Sequence, residues 1–231
     1  MKTIGMLGGM SWESSAVYYR IVNRAVQDRL GGIHSAKTLL HSCDFAEMAA
    51  LQKAGRWDEA HDRMTTIAVN LEKAGADFLI ICCNTMHTAS AQMARATRIP
   101  LLHIADPLGA AIVKSGAKRP ALLGSSHTME RDDILRGRLK DRFGIDVMVP
   151  AGSDAAEISR VIYEELTRGQ FLASSRARYR EIIASLVAQG ADSVILGCTE
   201  LPLLVMPEDS AVPMFDTTTL HAMAAVEMAL E

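Results

Sequence analysis

Two cysteines 115 residues apart carry the clearest chemical signal in the chain. Cys83 closes the segment Gly75-Ala76-Asp77-Phe78-Leu79-Ile80-Ile81-Cys82-Cys83 and is followed by Asn84-Thr85. Cys198 closes a near copy, Gly190-Ala191-Asp192-Ser193-Val194-Ile195-Leu196-Gly197-Cys198, followed by Thr199-Glu200. Each copy is a short continuous apolar run, the mark of a strand buried on both faces, ending in a thiol and a small polar residue. A free thiol titrates at about 8.5, and a helix starting just after it lowers that value. If two related halves face each other, the thiols stand on opposite sides of one cleft. Chemistry that must approach a carbon from both faces, removing a proton on one side and returning it on the other, needs that arrangement.

Two further loops belong with these. Gly8-Gly9-Met10-Ser11 and Gly124-Ser125-Ser126-His127-Thr128 follow strand-like runs and lead into helices, which suits backbone N–H groups aimed at an anion. Neither has the glycine spacing of a dinucleotide fingerprint nor the lysine of a phosphate loop, but a carboxylate needs less. Cys43 and Cys82 read as small core residues, and Cys82 should point to the face opposite Cys83 because strand side chains alternate. His87 reads as a packing or hydrogen-bonding residue. Glu200 is open between a substrate ammonium, the neighbouring thiol and a helix first-turn carboxylate. Zinc would need His87 together with Cys83 and Cys198, and no Cys-x-x-Cys or His-Glu-x-x-His spacing supports it, so no metal is expected.

The elements that must position these loops alternate between strand and helix. Thr3–Leu7, Thr38–Ser42, Phe78–Cys82 and Pro100–Ile104 are the strand signals of the first half, with helices over Trp12–Leu30 and Glu59–Lys73. Pro120–Gly124, Asp146–Val149, Val194–Leu196 and Val212–Phe215 repeat the order, with helices over Arg131–Arg142, Ala177–Ala188 and Thr217–Leu230. The expectation is an α/β protein of two pseudo-symmetric domains, each a roughly four-stranded parallel sheet flanked by helices, with the active site in the interdomain cleft. The expected domains are 1–104 plus 213–231 on the Cys83 side and 105–212 on the Cys198 side.

Composition narrows the partners. The 231 residues are 49% hydrophobic with a net charge of −3, enough for a packed core and no electrostatic case for nucleic acid. No apolar run is long enough to span a bilayer, and no export signal is evident, so a cytoplasmic setting is expected. Four cysteines in a chain this long do not make a disulfide framework. The helical stripe Val17, Ile21, Val22 and Val26 is either core or a homodimer face.

Taken together, Cys83-Asn84-Thr85-Met86-His87, Gly197-Cys198-Thr199-Glu200, Leu7-Gly8-Gly9-Met10 and Phe215-Asp216-Thr217 resemble the aspartate/glutamate racemase family over essentially the whole chain. The resemblance is nearest the bacterial amino-acid racemase branch that opens Gly-Gly-Met-Ser-Trp-Glu. It implies two α/β domains and a two-base mechanism without pyridoxal phosphate or any other cofactor. Cys198 would then take the α-proton of the L-amino acid and Cys83 that of the D-form. It further implies that Met10, Asn84, Thr85, Thr128, Thr199 and Glu200 line the substrate, a small amino acid. Acidic-substrate members place a basic residue where Thr167 stands here, beside Arg168, and another in the loop where this chain has Cys43-Asp44-Phe45-Ala46-Glu47-Met48. Preference for a side-chain carboxylate is therefore left open. The same scaffold also carries cysteine enzymes that isomerise maleate or decarboxylate malonates. A two-domain amino-acid binding protein is the reading from a different class.

Overall fold

The computed structural model describes residues 1–231 and divides into two compact units, 1–104 with 221–231, and 105–220.

In the first unit β1 (Ile4–Gly8) pairs in parallel with β2 (Thr38–Ser42) on one side and β3 (Phe78–Ile81) on the other. Both faces of β1 and β3 are covered, which explains their unbroken apolar runs, whereas β2 at the edge is largely exposed. Phe78, Ile80 and Cys82 join Ile4 and Met6 on one face, packed by Tyr18, Val22 and Val26 of α1 (Trp12–Leu30). Leu79 and Ile81 join Leu7 on the other, packed by Met48 and Leu51 of α2 (Phe45–Lys53) and by α3 (Trp57–Lys73). Helix α3 forms because Ala60, Met64, Ile67, Ala68 and Leu71 fall on one stripe, with Asp58 and Glu59 in its first turn and Lys73 in its last. Of the α1 stripe, Val22 and Val26 are fully buried core and Ile21 packs against the same cluster, while Val17 is half-buried. After β3 come a short 3-10 turn (Thr85–Ala89) and α4 (Ser90–Ala96).

The second unit opens with α5 (Ala105–Ser115) and β4 (Pro120–Leu123), then α6 (Ser126–Glu130) and α7 (Gly137–Phe143). Helices α8 (Gly152–Glu164) and α9 (Ala173–Ala188) precede β5 (Ser193–Leu196) and β6 (Met214–Asp216). The final helix, α10 (Thr217–Leu230), begins in this unit, and its residues from His221 belong to the first. All pairings are again parallel, in the order β4-β5-β6.

Three expectations change. Each sheet has three strands, with the fourth position reduced to a single bridge: Leu79↔Leu101 beyond β3, and Ala121↔Met148 beyond β4. The cause is local. Pro100 and Pro150 have no N–H to extend a ladder, and past Leu101 the backbone is claimed by side chains, Leu102 O by His221 and Ile104 N–H by His87. Second, the helix expected over Arg131–Arg142 is a π turn (Asp132–Arg136) before α7. Gly137 N–H bonds the Asp132 carbonyl five residues back, and a Cβ at Gly137 would lie 2.7 Å from that oxygen. Third, 213–220 lies in the second unit rather than returning to the first, because Met214–Asp216 pairs with β5.

With the bridges counted, both units share one strand order: outer strand, first strand, the cysteine strand, last strand. That is the doubly wound order in which the switch point falls between the first strand and the cysteine strand.

Candidate active site

In the first unit the switch point joins the ends of β1 and β3. Cys83 lies two residues beyond β3, half-buried, and packs against the α3-side core with Cys43 and Phe45, whereas Cys82 is sealed in the α1-side core. Burial, followed by the charge of Cys83, pushes the Cys82 thiol far up, so it stays protonated and inert. The Cys43 thiol is also raised, first by burial, with Arg63 pulling it down and Glu47 pushing it up.

The β1 turn is fixed from both sides. Gly9 N–H donates to Ser15 Oγ at 2.7 Å, Ser15 Oγ–H donates to Ser11 O at 3.2 Å, and Cys43 N–H donates to Gly8 O at 3.0 Å. Met10, Asn84 and Thr85 are buried around this end.

His87 ties the Cys83 loop down. Its Nδ1 lies 2.9 Å from the Cys83 carbonyl, and its Nε2 lies 3.2 Å from the Ile104 N–H. A carbonyl can only accept and an amide N–H can only donate, so the ring is the neutral Nδ1–H tautomer. His221 is held in a similar way: its Nε2–H donates to Leu102 O at 2.9 Å, and its Nδ1 lies 2.9 Å from Tyr18 Oη, a hydroxyl that can give or take the hydrogen bond. His103 completes the cluster, its ring centroid 4.6 Å from that of His87. With both ring nitrogens bonded to backbone, His87 is a strut. Only its own helical spacing was legible in sequence; His103, His221 and Tyr18 arrive from distant segments.

This strut has a pH signature. Burial, followed by the charges of His103 and His221, holds the His87 imidazole well below its ordinary value. The unfolded chain therefore binds a proton below about pH 6.5 that the folded chain does not, and stability falls with acidification by about 1.4 kcal/mol per pH unit from this group. Urea unfolding of His87→Gln between pH 6.5 and 5 should show a slope shallower by about one proton than the parent. Equal slopes would remove His87 from the account.

In the second unit the corresponding ends are those of β4 and β5. Cys198 again lies two residues beyond its strand and is half-buried. A Cβ on Gly124 would lie 3.1 Å from Gly197 O and 3.2 Å from Thr128, so the glycine lets the two loops meet. Thr128, 1% exposed, is set by Ser125, whose Oγ caps α6 by accepting from Thr128 N–H. Thr199 and Glu200 are both buried, and Glu200 Oε2 accepts from Cys198 Sγ–H at 2.9 Å and from Thr199 Oγ–H at 3.0 Å. Tyr179 of α9, unforeseen in the sequence, stands near this end. Its phenol donates to Ile158 O at 2.9 Å, and burial followed by the Cys198 charge pushes its ionisation far up.

Thr167 Oγ–H is spent on Tyr163 O at 3.0 Å and Arg168 is exposed. In the loop after β2, Asp44 caps α2 through Ala46 N–H, and Glu47 pairs with Arg63 at 2.6 Å. A basic residue does reach this loop, but from α3.

No helix of the protein is long and apolar enough to cross a membrane. Residues 7–225 match the family model described as Asp/Glu/Hydantoin racemase. The broad specificity amino-acid racemase RacX of Bacillus subtilis (strain 168) is 26% identical over 230 residues, covering 96% of each chain. Among solved structures, a candidate Asp/Glu racemase from Yersinia pestis is 45% identical with a TM-score of 0.92, and an aspartate racemase homologue from Pyrococcus horikoshii OT3 is 31% identical with a TM-score of 0.86; both alignments span 100% of each chain.

Proposed function

The chain belongs to the Asp/Glu/hydantoin racemase family, and on that footing we propose that this amino-acid racemase interconverts L- and D-aspartate, glutamate or a related small amino acid by cofactor-independent proton transfer between Cys83 and Cys198. The observation that carries the reading is positional. Each cysteine stands two residues past the second strand of its switch point, in sheets of the same order and the same register, Ile4↔Phe78 in one and Pro120↔Ser193 in the other.

One thiolate takes the α-proton: the Cα–H bond breaks, its electron pair stays on carbon and spreads into the carboxylate, and an S–H bond forms. The other thiol gives its proton to the opposite face. Cys198 serves the L-enantiomer as base and Cys83 the D-enantiomer. Asn84, Thr85, Thr199 and the N–H groups of their loops would hold the carboxylate and the charge that develops on it, where fixed dipoles are worth most. Met10 and Thr128 would line the same substrate. Thr167 itself offers no cation and Arg63 is paired with Glu47, but the neighbouring Arg168 is exposed, so the substrate panel below decides between acidic and neutral side chains.

The test is incubation of chelator-treated enzyme in heavy water with L- and D-aspartate, glutamate, alanine, serine and homoserine. Proton NMR follows the α-proton and chiral chromatography the enantiomer ratio. Exchange with inversion, undiminished by chelator, is expected. Maleate isomerisation or carbon dioxide release from a malonate, without racemisation, would replace this reading.

A further inference from the structure

We propose that Glu200 is the positioning residue that keeps the Cys198 sulfur protonated between turnovers, so that the Cys198–Glu200 pair, rather than the thiol alone, decides when this cysteine can act as a base. The role given to Cys198 rests on the racemase reading; the contact itself does not.

Glu200 is 2% exposed, and one of its oxygens, Oε2, collects both donors of the loop, Cys198 Sγ–H and Thr199 Oγ–H. A carboxylate placed on an S–H bond stabilises the protonated sulfur, because a thiolate in the same position would put two negative charges 2.9 Å apart out of water. Thr199 does not offset this in the substrate-free protein, since its hydroxyl proton is on the same oxygen. When Cys198 delivers its proton, the S–H pair stays on sulfur and the carbanion pair forms the new Cα–H bond; in reverse, the sulfur pair forms S–H and the Cα–H pair remains on carbon. Every thiolate state of Cys198 in this cycle faces the Glu200 carboxylate. The resting protein therefore carries Cys198 as the acid. Among the other groups at this end, Tyr179 faces Cys198 from α9 with its proton held by Ile158 O, and Glu157, Glu165 and Arg160 stand around that tyrosine.

The measurement is the pH dependence of iodoacetamide alkylation at Cys198, read on its peptide by mass spectrometry, in the parent, Glu200→Gln and Glu200→Asp. The parent midpoint should lie above the ordinary thiol value of about 8.5. Glu200→Gln should bring it down by about one pH unit or more, while Glu200→Asp stays near the parent. The alkaline limb of the kcat/KM profile should move down with it, whereas a merely structural defect would lower kcat/KM at every pH without moving the limb. A parent midpoint at or below the ordinary value, or equal midpoints in parent and Gln variant, overturns the proposal. The parent value alone decides if Glu200→Gln does not fold. Shifted midpoints in a protein that turns over no amino acid leave the pair standing and remove the racemase reading; turnover with an unmoved midpoint does the reverse.

Discussion

Alanine at Cys83 or at Cys198 is expected to cost about a thousandfold or more in racemisation, the contribution of a positioned acid or base. Neither loss should be rescued by the other thiols. Cys82 is sealed against α1 and α10 on the opposite face of the sheet, with a thiol that burial keeps protonated. Cys43 is raised in the same sense. The single variants should nevertheless differ in kind. With Cys198→Ala, Cys83 can still remove and return the proton on its own face, so D-amino acid should exchange its α-proton in heavy water without inverting. With Cys83→Ala, the L-form should do so. Cys82→Ala is the control: turnover intact, and stability lower by about 1 kcal/mol for the small core change. Full racemisation in either single variant would end the two-base assignment. Exchange of both enantiomers in one variant would show that the faces are not divided between the cysteines.

What the residues revealed in advance follows from how local each cause is. The matched places of Cys83 and Cys198, two residues past β3 and β5, were legible because their signal is a repeat: an apolar strand, a fixed offset and a thiol, all contained in about ten residues. The alternation that sends Cys82 to the other face needed only the strand period, and the core clusters divide as that period requires. The stripe of α3 is equally local. The outer strands were misjudged because Leu101 and Met148 sit in strand-like runs whose ladder is cut short by adjacent prolines and by acceptors and donors elsewhere. The histidine cluster could not be assembled from the sequence: His87, His103 and His221 share no period, and only the fold brings them together. Glu200 was open among three roles because a carboxylate after Cys-Thr can turn to substrate, backbone or thiol; only the fold sets its Oε2 2.9 Å from Cys198 Sγ.

The Gly8-Gly9 turn, which the sequence offered only as an anion loop, is under a stricter constraint than that reading gives. Gly9 has φ +87°, and a Cβ there would overlap both the backbone nitrogen and oxygen of Cys43 and lie 2.9 Å from the carbonyl carbon of Ser42. Backbone cannot rotate away as a side chain can, so Gly9→Ala must push the end of β1 off the end of β2. The left-handed conformation costs about 1–2 kcal/mol and the overpacking about 1–3 more, a loss of about 3 kcal/mol in urea unfolding. Gly55→Ala separates the two causes: φ is +69° but no atom lies within 4 Å of the added carbon, so only the conformational cost of about 1 kcal/mol should appear. Activity should divide in the same way. Gly55→Ala should turn over as the parent does, because the added carbon meets no other atom and so displaces nothing. Gly9→Ala should lose turnover by more than its folded fraction explains, because the displaced turn carries Met10 and abuts Cys43, which shares a core cluster with Cys83. Equal stability in the two variants would mean that the β1 and β2 ends part without cost, and that the turn positions nothing.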